Sequence, residues 1–387
     1  MVSFCKHFAR NILRMRRFFS LVIGLVFFFS ALLPPASAQS RSKPSIPNLS
    51  GKVLTVLGPI EPAKVGSALM HEHIFIDFKA PPPMFPAPTD ITVIKPAPAD
   101  PKKRRGLTDF DESLNAVMDF KNIGGSTIVD VSQFGLTRDP LALKLISRVS
   151  GLNVVMGSGF YMRQMHPPDM DKLTVKQLTD IIVRDITVGA QGTSIRSGII
   201  GEVGVVGKPL TENEIKSVRA SARAARITGA PMSIHNFEPL DEMMKVLDII
   251  ESEGVDLHHV VMSHTGGRDV KTIEALFKRG VYVEWDFMGQ APLPKKADEQ
   301  RIESIYAMIA AGHAKQIVLS HDVCLQMQLK VNGGGGYTYI HDRILPGLKA
   351  KGVSDEILNT IIVDNPRNAL TFTAPHSLVR GAHLRKK

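Results

Sequence analysis

The chain is poor in cysteine. Two thiols among 387 residues, Cys5 and Cys324, cannot form a disulfide framework. Tryptophan occurs once and charged residues reach only 22%. Together with the scarcity of low-complexity runs, this excludes a disordered polyelectrolyte. Long apolar runs are also scarce. The strongest candidate, Phe18 to Leu33, is sixteen residues long and broken by two serines and a glycine, short of the about 20 residues that span a bilayer. What is present is length and an apolar content of 44%, enough to bury a sizeable core and to exclude a stapled mini-fold.

That apolar run belongs to a leader. Lys6, Arg10, Arg14, Arg16 and Arg17 precede it with no acidic residue, and Pro34-Pro35 and Ala36-Ser37-Ala38 follow as a break and a small-x-small cleavage site. This layout predicts a signal peptide over residues 1–38 and an exported, periplasmic or secreted protein with no lasting membrane anchor after cleavage. An uncleaved anchor is the alternative. Arg16-Arg17-Phe18-Phe19 also resembles a twin-arginine signal, so the export route stays open. The formal charge of +10 shrinks accordingly. Removing five of the 47 basic residues and none of the 37 acidic ones leaves +5. Part of that excess is local, in Lys102 to Arg105 and in the basic tail over 374–387. Such runs are ordinarily solvated, so a nucleic-acid partner is not expected. The expected partner is a small-molecule substrate, with a homodimer allowed.

Downstream, short segments rich in β-branched residues alternate with amphipathic ones. The strand candidates are Ala68–Asp77, Ser126–Val131, Asn153–Ser158, Gly198–Val203, Pro231–His235, His259–Ser263, Val281–Trp285 and Gln316–Ser320. Helical stretches such as Thr211–Thr228, opened by the capping box of Thr211 and Glu214, lie between them. Repeated strand–helix units imply parallel strands with right-handed crossovers. Eight of them predict an α/β fold, a (β/α)8 TIM barrel over 61–373. An open doubly wound sheet is the alternative. Residues 39–60 contain a short N-terminal β-hairpin, Lys52 to Val56 with Gly58-Pro59, expected to cap the bottom of the barrel. Ala80–Gly106 is rich in proline and is expected to be a long first βα loop.

Chemistry-bearing residues fall at the strand ends. His71 and His73 are two apart, so both imidazoles reach one side of an extended strand while Glu72 points to the other. Glu202, His235, His264 and Asp322 end later strands. The separations are 33, 29 and 58 residues, and the last is two units of 29, so these residues occupy equivalent places in a repeating βα unit. In a closed barrel all of them meet at the C-terminal face, where active sites of this fold are built. Four imidazoles and two carboxylates exceed one tetrahedral zinc and suit two divalent metals with Glu202 as a carboxylate bridge. Such a pair holds a water, lowers its pKa and polarises a substrate oxygen, and Asp322 is placed to accept the proton. Taken singly, each residue has a bland reading: a hydrogen-bonded core histidine, a helix-capping aspartate, a turn glutamate.

Gly58-Pro59 followed by His71-Glu72-His73 resembles the opening of the phosphotriesterase family of the amidohydrolase superfamily. The likeness continues through Gly124-Gly125 and Val129-Asp130, Gly157 to Tyr161 with His166-Pro167, Gly201-Glu202-Val203-Gly204, Ser263-His264, Ser320-His321-Asp322, Gly333 to Tyr337 and Asn365-Pro366-Arg367. The resemblance implies a hydrolase acting on an ester, lactone, phosphoester or amide, with two divalent metal ions, zinc expected. It implies that His71, His73 and Asp322 hold the more buried metal, that His235 and His264 hold the other, that Glu202 bridges both, and that Asp322 is the general base. The phosphotriesterase and lactonase branches carry a carboxylated lysine at the bridge. Here it is Glu202, as in the phosphotriesterase-related branch, and Lys208 lies beyond the strand. Asp269 is the candidate for orienting the proton network near His264. An inactive barrel that only binds, and a mononuclear deaminase, are the competing functions.

Weaker candidates surround this set. Tyr161 falls at the top of strand three, where its hydroxyl can meet a substrate oxygen or simply pack the pocket. Arg268 and Arg163 are candidates for an anionic group. Asn332 with Gly333–Gly336 is expected to form a mobile, substrate-selecting loop. Cys324 is expected to pack, since nothing paired with it suggests a nucleophile.

Overall fold

Ten short strands organise the computed structural model, which describes residues 46–77, 106–289 and 295–376. The segment expected to be a signal peptide, nearly all of the Ala80–Gly106 segment and nearly all of the basic tail lie outside the described residues. Among those described, no helix is long and apolar enough to cross a membrane. β1 (Val53–Thr55) and β2 (Gly58–Ile60) pair as an antiparallel hairpin. β3 (Ala68–Glu72), β4 (Thr127–Asp130), β5 (Asn153–Ser158), β6 (Ile199–Val205), β7 (Met232–Asn236), β8 (Val260–Ser263), β9 (Tyr282–Trp285) and β10 (Ile317–Leu319) form one parallel sheet in sequential order. Sequential parallel strands with helical returns make a (β/α)8 barrel.

The helices begin where local chemistry satisfies their free N–H groups. Asp109 caps α1 (Phe110–Asn122), and Asp139 with Pro140 opens α2 (Pro140–Ser150). Capping boxes start α3 (Val175–Thr187) at Thr174 and α4 (Glu212–Thr228) at Thr211. α5 (Leu240–Ser252), α6 (Val270–Lys278) and α7 (Lys295–Ala310) complete the long outer helices described.

Two apolar sets separate by strand alternation. Outward residues such as Ile128, Val154, Met156 and Ile234 join the helices in one cluster. Their inward neighbours Met70, Val129, Val131, Val155, Ile199, Val261 and Val318 form another, together with Val53 of the hairpin and Val65. The hairpin therefore plugs the N-terminal end, tied there by the Val56 N–H donated to Val154 O at 2.9 Å.

Strand one is shorter than the sequence suggests. It leaves the sheet at Glu72, not Asp77, after an irregularity between Leu69 and Glu72. Beyond it Ile74 donates its N–H to the Asp130 carboxylate at 2.7 Å instead of to a neighbouring strand. The barrel closes where β10 meets β3, through the Asp322 N–H to His71 O at 3.1 Å and the His73 N–H to Val323 O at 3.2 Å. Glu72 does point to the outer side, yet it is fully buried and latches this seam. Its carboxylate accepts from Ser320 Oγ, His321 N–H and Val323 N–H at 2.8–2.9 Å, and lies 2.7 Å from His321 Nδ1.

Candidate metal centre

His71, His73, Glu202, His235, His264 and Asp322 all meet at the C-terminal mouth, each at least nine-tenths buried. Glu202 is the hub. Its Oε2 lies 2.6 Å from His235 Nδ1, 3.3 Å from His71 Nε2 and 3.7 Å from His264 Nε2, while Oε1 lies 3.4 Å from His73 Nε2. Asp322 Oδ1 lies 3.2 Å from His73 Nε2 and 3.8 Å from His71 Nε2. Two groups with metal-binding geometry share Glu202: His71, His73 and Glu202 on one side, and Glu202, His235 and His264 on the other.

Backbone distortions deliver two of these side chains. Alternation from Val261 and Ser263 would send His264 outward, but its φ of +61° turns it in, and Asp322 has φ +54°. Non-glycine residues in this left-handed region carry strain of about 1–3 kcal/mol each, a cost that persists where surrounding structure enforces it, often at functional sites.

The imidazoles are oriented from behind. The Ser132 hydroxyl donates to Phe75 O at 3.1 Å and therefore accepts from His73 Nδ1, 2.9 Å away. Asp286 lies 2.9 Å from His264 Nδ1 and accepts the His264 N–H at 2.8 Å. Glu284 Oε2 lies 3.3 Å from His71 Nδ1. Each backing partner engages Nδ1 and turns Nε2 toward the hub, where His264 Nε2 also meets His235 Nδ1 at 2.9 Å. His71 Nε2 is buried without a hydrogen bond, as expected of an atom shaped for a cation rather than for a protein partner, while His235 faces the hub through Nδ1. The donor set of imidazole and carboxylate suits a borderline divalent ion such as zinc.

The electrostatics agree. Burial alone would neutralise His71, but the carboxylates of Glu202 and Glu284 outweigh it and hold its pKa well above the usual value. Burial likewise opposes charge on His264, and Asp286 pushes it up to about 9. Glu202 is buried too, yet His235 and His71 hold it well below the carboxylate range. His235 runs the other way, lowered by burial and by His264 and His71 beside it. The buried carboxylates of the mouth thus favour positive charge on the groups around them.

Other candidates divide. Tyr161 is buried, with its hydroxyl 3.4 Å from His235 Nδ1, within reach of the hub. Arg268 is half-buried at the rim, donating to Glu238 O at 3.1 Å, and makes no hydrogen bond to the six residues. Arg163 is exposed on a 3-10 turn. Asp269 does not serve His264. It caps α6 by accepting the Thr272 N–H, because the chain turns away after β8, and Asp286 takes the role instead. The segment after β10 is not a loose glycine loop. It folds into successive 3-10 turns in which Gly334 N–H meets Leu329 O at 3.0 Å and Gly335 N–H meets Gly289 O at 2.9 Å. A Cβ at Gly335 would fall 2.5 Å from the Tyr339 ring, so these glycines serve packing. Lys208 is exposed, away from the bridge. Burial pushes the Cys324 thiol up, which disfavours a nucleophile.

Asp286, Glu284 and Ser132 escaped the sequence reading. The visible signal was the pair Glu284-x-Asp286 closing the seventh barrel strand, two acids on one side of a strand that offers no other ligand. Phe237 and Phe287 were missed as well. Both are half-buried and stack on His264 with ring centroids 4.7 and 4.5 Å away, an apolar wall beside the centre.

A parallel eight-stranded barrel with four histidines gathered round one buried carboxylate at its C-terminal face is a hydrolase scaffold with a candidate metal site. A sequence model described as "Phosphotriesterase family" matches residues 51–370, and the chain belongs to that family, whose enzymes are metal-dependent. It is 35% identical over 348 residues to the N-acetyltaurine hydrolase of Xenopus tropicalis, covering 84% of this chain and 99% of that one. It is 36% identical over 353 residues to a phosphotriesterase-related protein of Nematostella vectensis, with the same coverage. The resiniferatoxin-binding protein of Rhodobacter sphaeroides has a similar structure, with TM-score 0.74 and 32% identity over 84% of this chain and 96% of that one.

Proposed function

We propose that this chain is an exported, dinuclear-metal hydrolase that cleaves the amide bond of a small N-acyl compound carrying an anionic group. The observation that carries the reading is Glu202, one buried carboxylate in reach of all four imidazoles and shared by two cation-sized groups. Two divalent ions, zinc expected, would supply there an activated water and a polarised scissile oxygen. His71, His73 and Asp322 would hold one ion, His235 and His264 the other, and Glu202 would serve both.

The remaining steps belong to the chain itself. Asp322 accepts the proton from the attacking water, since its carboxylate sits at the edge of the cluster where substrate enters. The Tyr161 hydroxyl donates to the substrate oxygen from beside His235. Phe237 and Phe287 exclude water from one wall, which strengthens every electrostatic contact within. Arg268, held at the rim by Glu238 O, pairs with the anionic end of the substrate. The choice of an amide over an ester, lactone or phosphoester rests on the N-acetyltaurine hydrolases among its relatives at 31–35% identity. The basic, apolar leader supports export, which N-terminal sequencing of the mature protein in fractionated cells checks.

The test combines elemental analysis with a panel of N-acyl amino sulfonates, N-acyl amino acids, lactones, esters and phosphotriesters. Two metals per chain and preferential amide cleavage are expected. A folded protein that holds less than one metal and stays inactive after reconstitution refutes the enzyme reading. A single metal with Glu202 dispensable points to mononuclear chemistry.

A further inference from the structure

Strand β9 supplies no member of the six-residue cluster, yet Glu284 within it and Asp286 just after it stand directly behind that cluster. Asp286 has two tasks at His264, one at the ring and one at the backbone N–H. Glu284 has no such second task. It is fully buried, neither of its oxygens makes a hydrogen bond of good geometry, and its polar neighbours are His71 Nδ1 at 3.3 Å and the neutral Ser263 hydroxyl. A buried carboxylate left this poorly partnered is costly to keep, so its placement calls for a positive charge close by. His71 alone does not satisfy it, because the same imidazole faces Glu202 and Asp322 through Nε2.

The arrangement resolves once the ring's two nitrogens are assigned. If Nε2 is to bind a cation it must be bare, so Nδ1 must carry the proton, and Glu284 is the acceptor that makes this tautomer the favoured one. His73 has the same need met by a neutral group, Ser132 Oγ at 2.9 Å. Each of the two cation positions thus has one carboxylate-backed histidine: His264 by Asp286, and His71 by Glu284.

We infer that Glu284 is a positioning residue that holds His71 with Nε2 bare and adds a negative charge behind the cation position formed by His71, His73 and Asp322. The inference rests on the dinuclear reading above. It assigns to β9 the task of setting the affinity of both positions, with Glu284 acting on one of them alone. A neighbouring carboxylate raises the basicity of the ligand imidazole, and losing such a partner typically weakens metal binding about 10–100-fold.

The test uses Glu284→Gln, which keeps the shape and an accepting oxygen but removes the charge, and Glu284→Leu, which removes both. Zinc and cobalt(II) affinities are measured by chelator competition, the cobalt absorption spectrum is recorded, and melting temperatures are taken with and without metal. Expected are two tight metals in the unaltered protein, one of them weakened about 10-fold in Glu284→Gln, and one lost with a changed cobalt spectrum in Glu284→Leu. The metal-free leucine variant should melt no lower than the unaltered metal-free protein, because a poorly paired buried charge has been removed. A merely structural glutamate would instead lower that melting temperature and leave metal affinity alone. Two metals bound by folded Glu284→Leu with unaltered affinity and spectrum overturn the inference. Should that variant not fold, unaltered affinity in Glu284→Gln does so. If the unaltered protein binds no metal, the dinuclear reading falls and takes the inference with it. If it binds two but hydrolyses nothing, only the reading of its activity falls.

Discussion

The two ends of the barrel are built on opposite rules. At the N-terminal end Val53 and Val65 join the apolar interior, and Leu54 is buried beside Val56, which is tied to β5. At the C-terminal end buried imidazole nitrogens and the Glu284 oxygens lack hydrogen bonds, and His264 and Asp322 sit in strained backbone. One end gains stability from apolar burial. The other spends part of that stability on a preorganised, cation-attracting pocket. The difference extends to the histidines. Carboxylates raise His71, His73 and His264 against burial. His341, packed outside the strands against Phe120 with its Nε2 3.1 Å from Ser67 Oγ, is pushed by burial and by His321 down to about 4.

If the division of labour holds, the largest effect comes from Asp322→Asn. Turnover should fall by about 10²–10⁴-fold, the usual contribution of a positioned general base, while circular dichroism shows an unchanged fold. Near-normal activity removes Asp322 from the base role. Leu54→Ala attacks the other end. Truncating a fully buried leucine there should cost about 2–5 kcal/mol in denaturant unfolding, with metal stoichiometry intact. Loss of metal in that variant would break the separation between the two ends.

Within the mouth, Asp286→Asn should weaken cation binding at the His235 and His264 position by about 10–100-fold, read by chelator competition. Equal weakening of both positions would mean that β9 does not address them separately. The smallest effect concerns His341. Its folded-state pKa of about 4 lies below the ordinary 6.5, so the unfolded chain binds more protons between these values. Stability should therefore decline as pH falls from about 6.5 toward 4, and His341→Phe should flatten that slope in urea titrations.

Much of the site was legible because barrel geometry turns sequence spacing into spatial position. His235, His264 and Asp322 stand at multiples of one βα unit, so closing the sheet brings them together. Glu202 was legible for the same reason, at the end of β6. Asp286 and Glu284 fall 22 and 20 residues after His264, off that spacing, and read as ordinary strand acids, since their partners, His264 and His71, lie on other strands. Asp269 misled because nearness in sequence to His264 is not nearness in space once the chain turns into α6. The glycines after β10 suggested mobility, whereas packing against Tyr339 explains them.

By itself the sequence determined the eight-unit α/β plan, the hairpin before it and the six residues at the strand ends. Periodicity and unit spacing are local properties, and a closed parallel barrel leaves few ways to satisfy them. Only the tertiary structure decided which carboxylate stands behind which imidazole and how Glu72 closes the seam. It also decided which way the His264 side chain turns. Those outcomes depend on contacts between strands distant in sequence, and a buried charge has no settled meaning until its neighbours are in place.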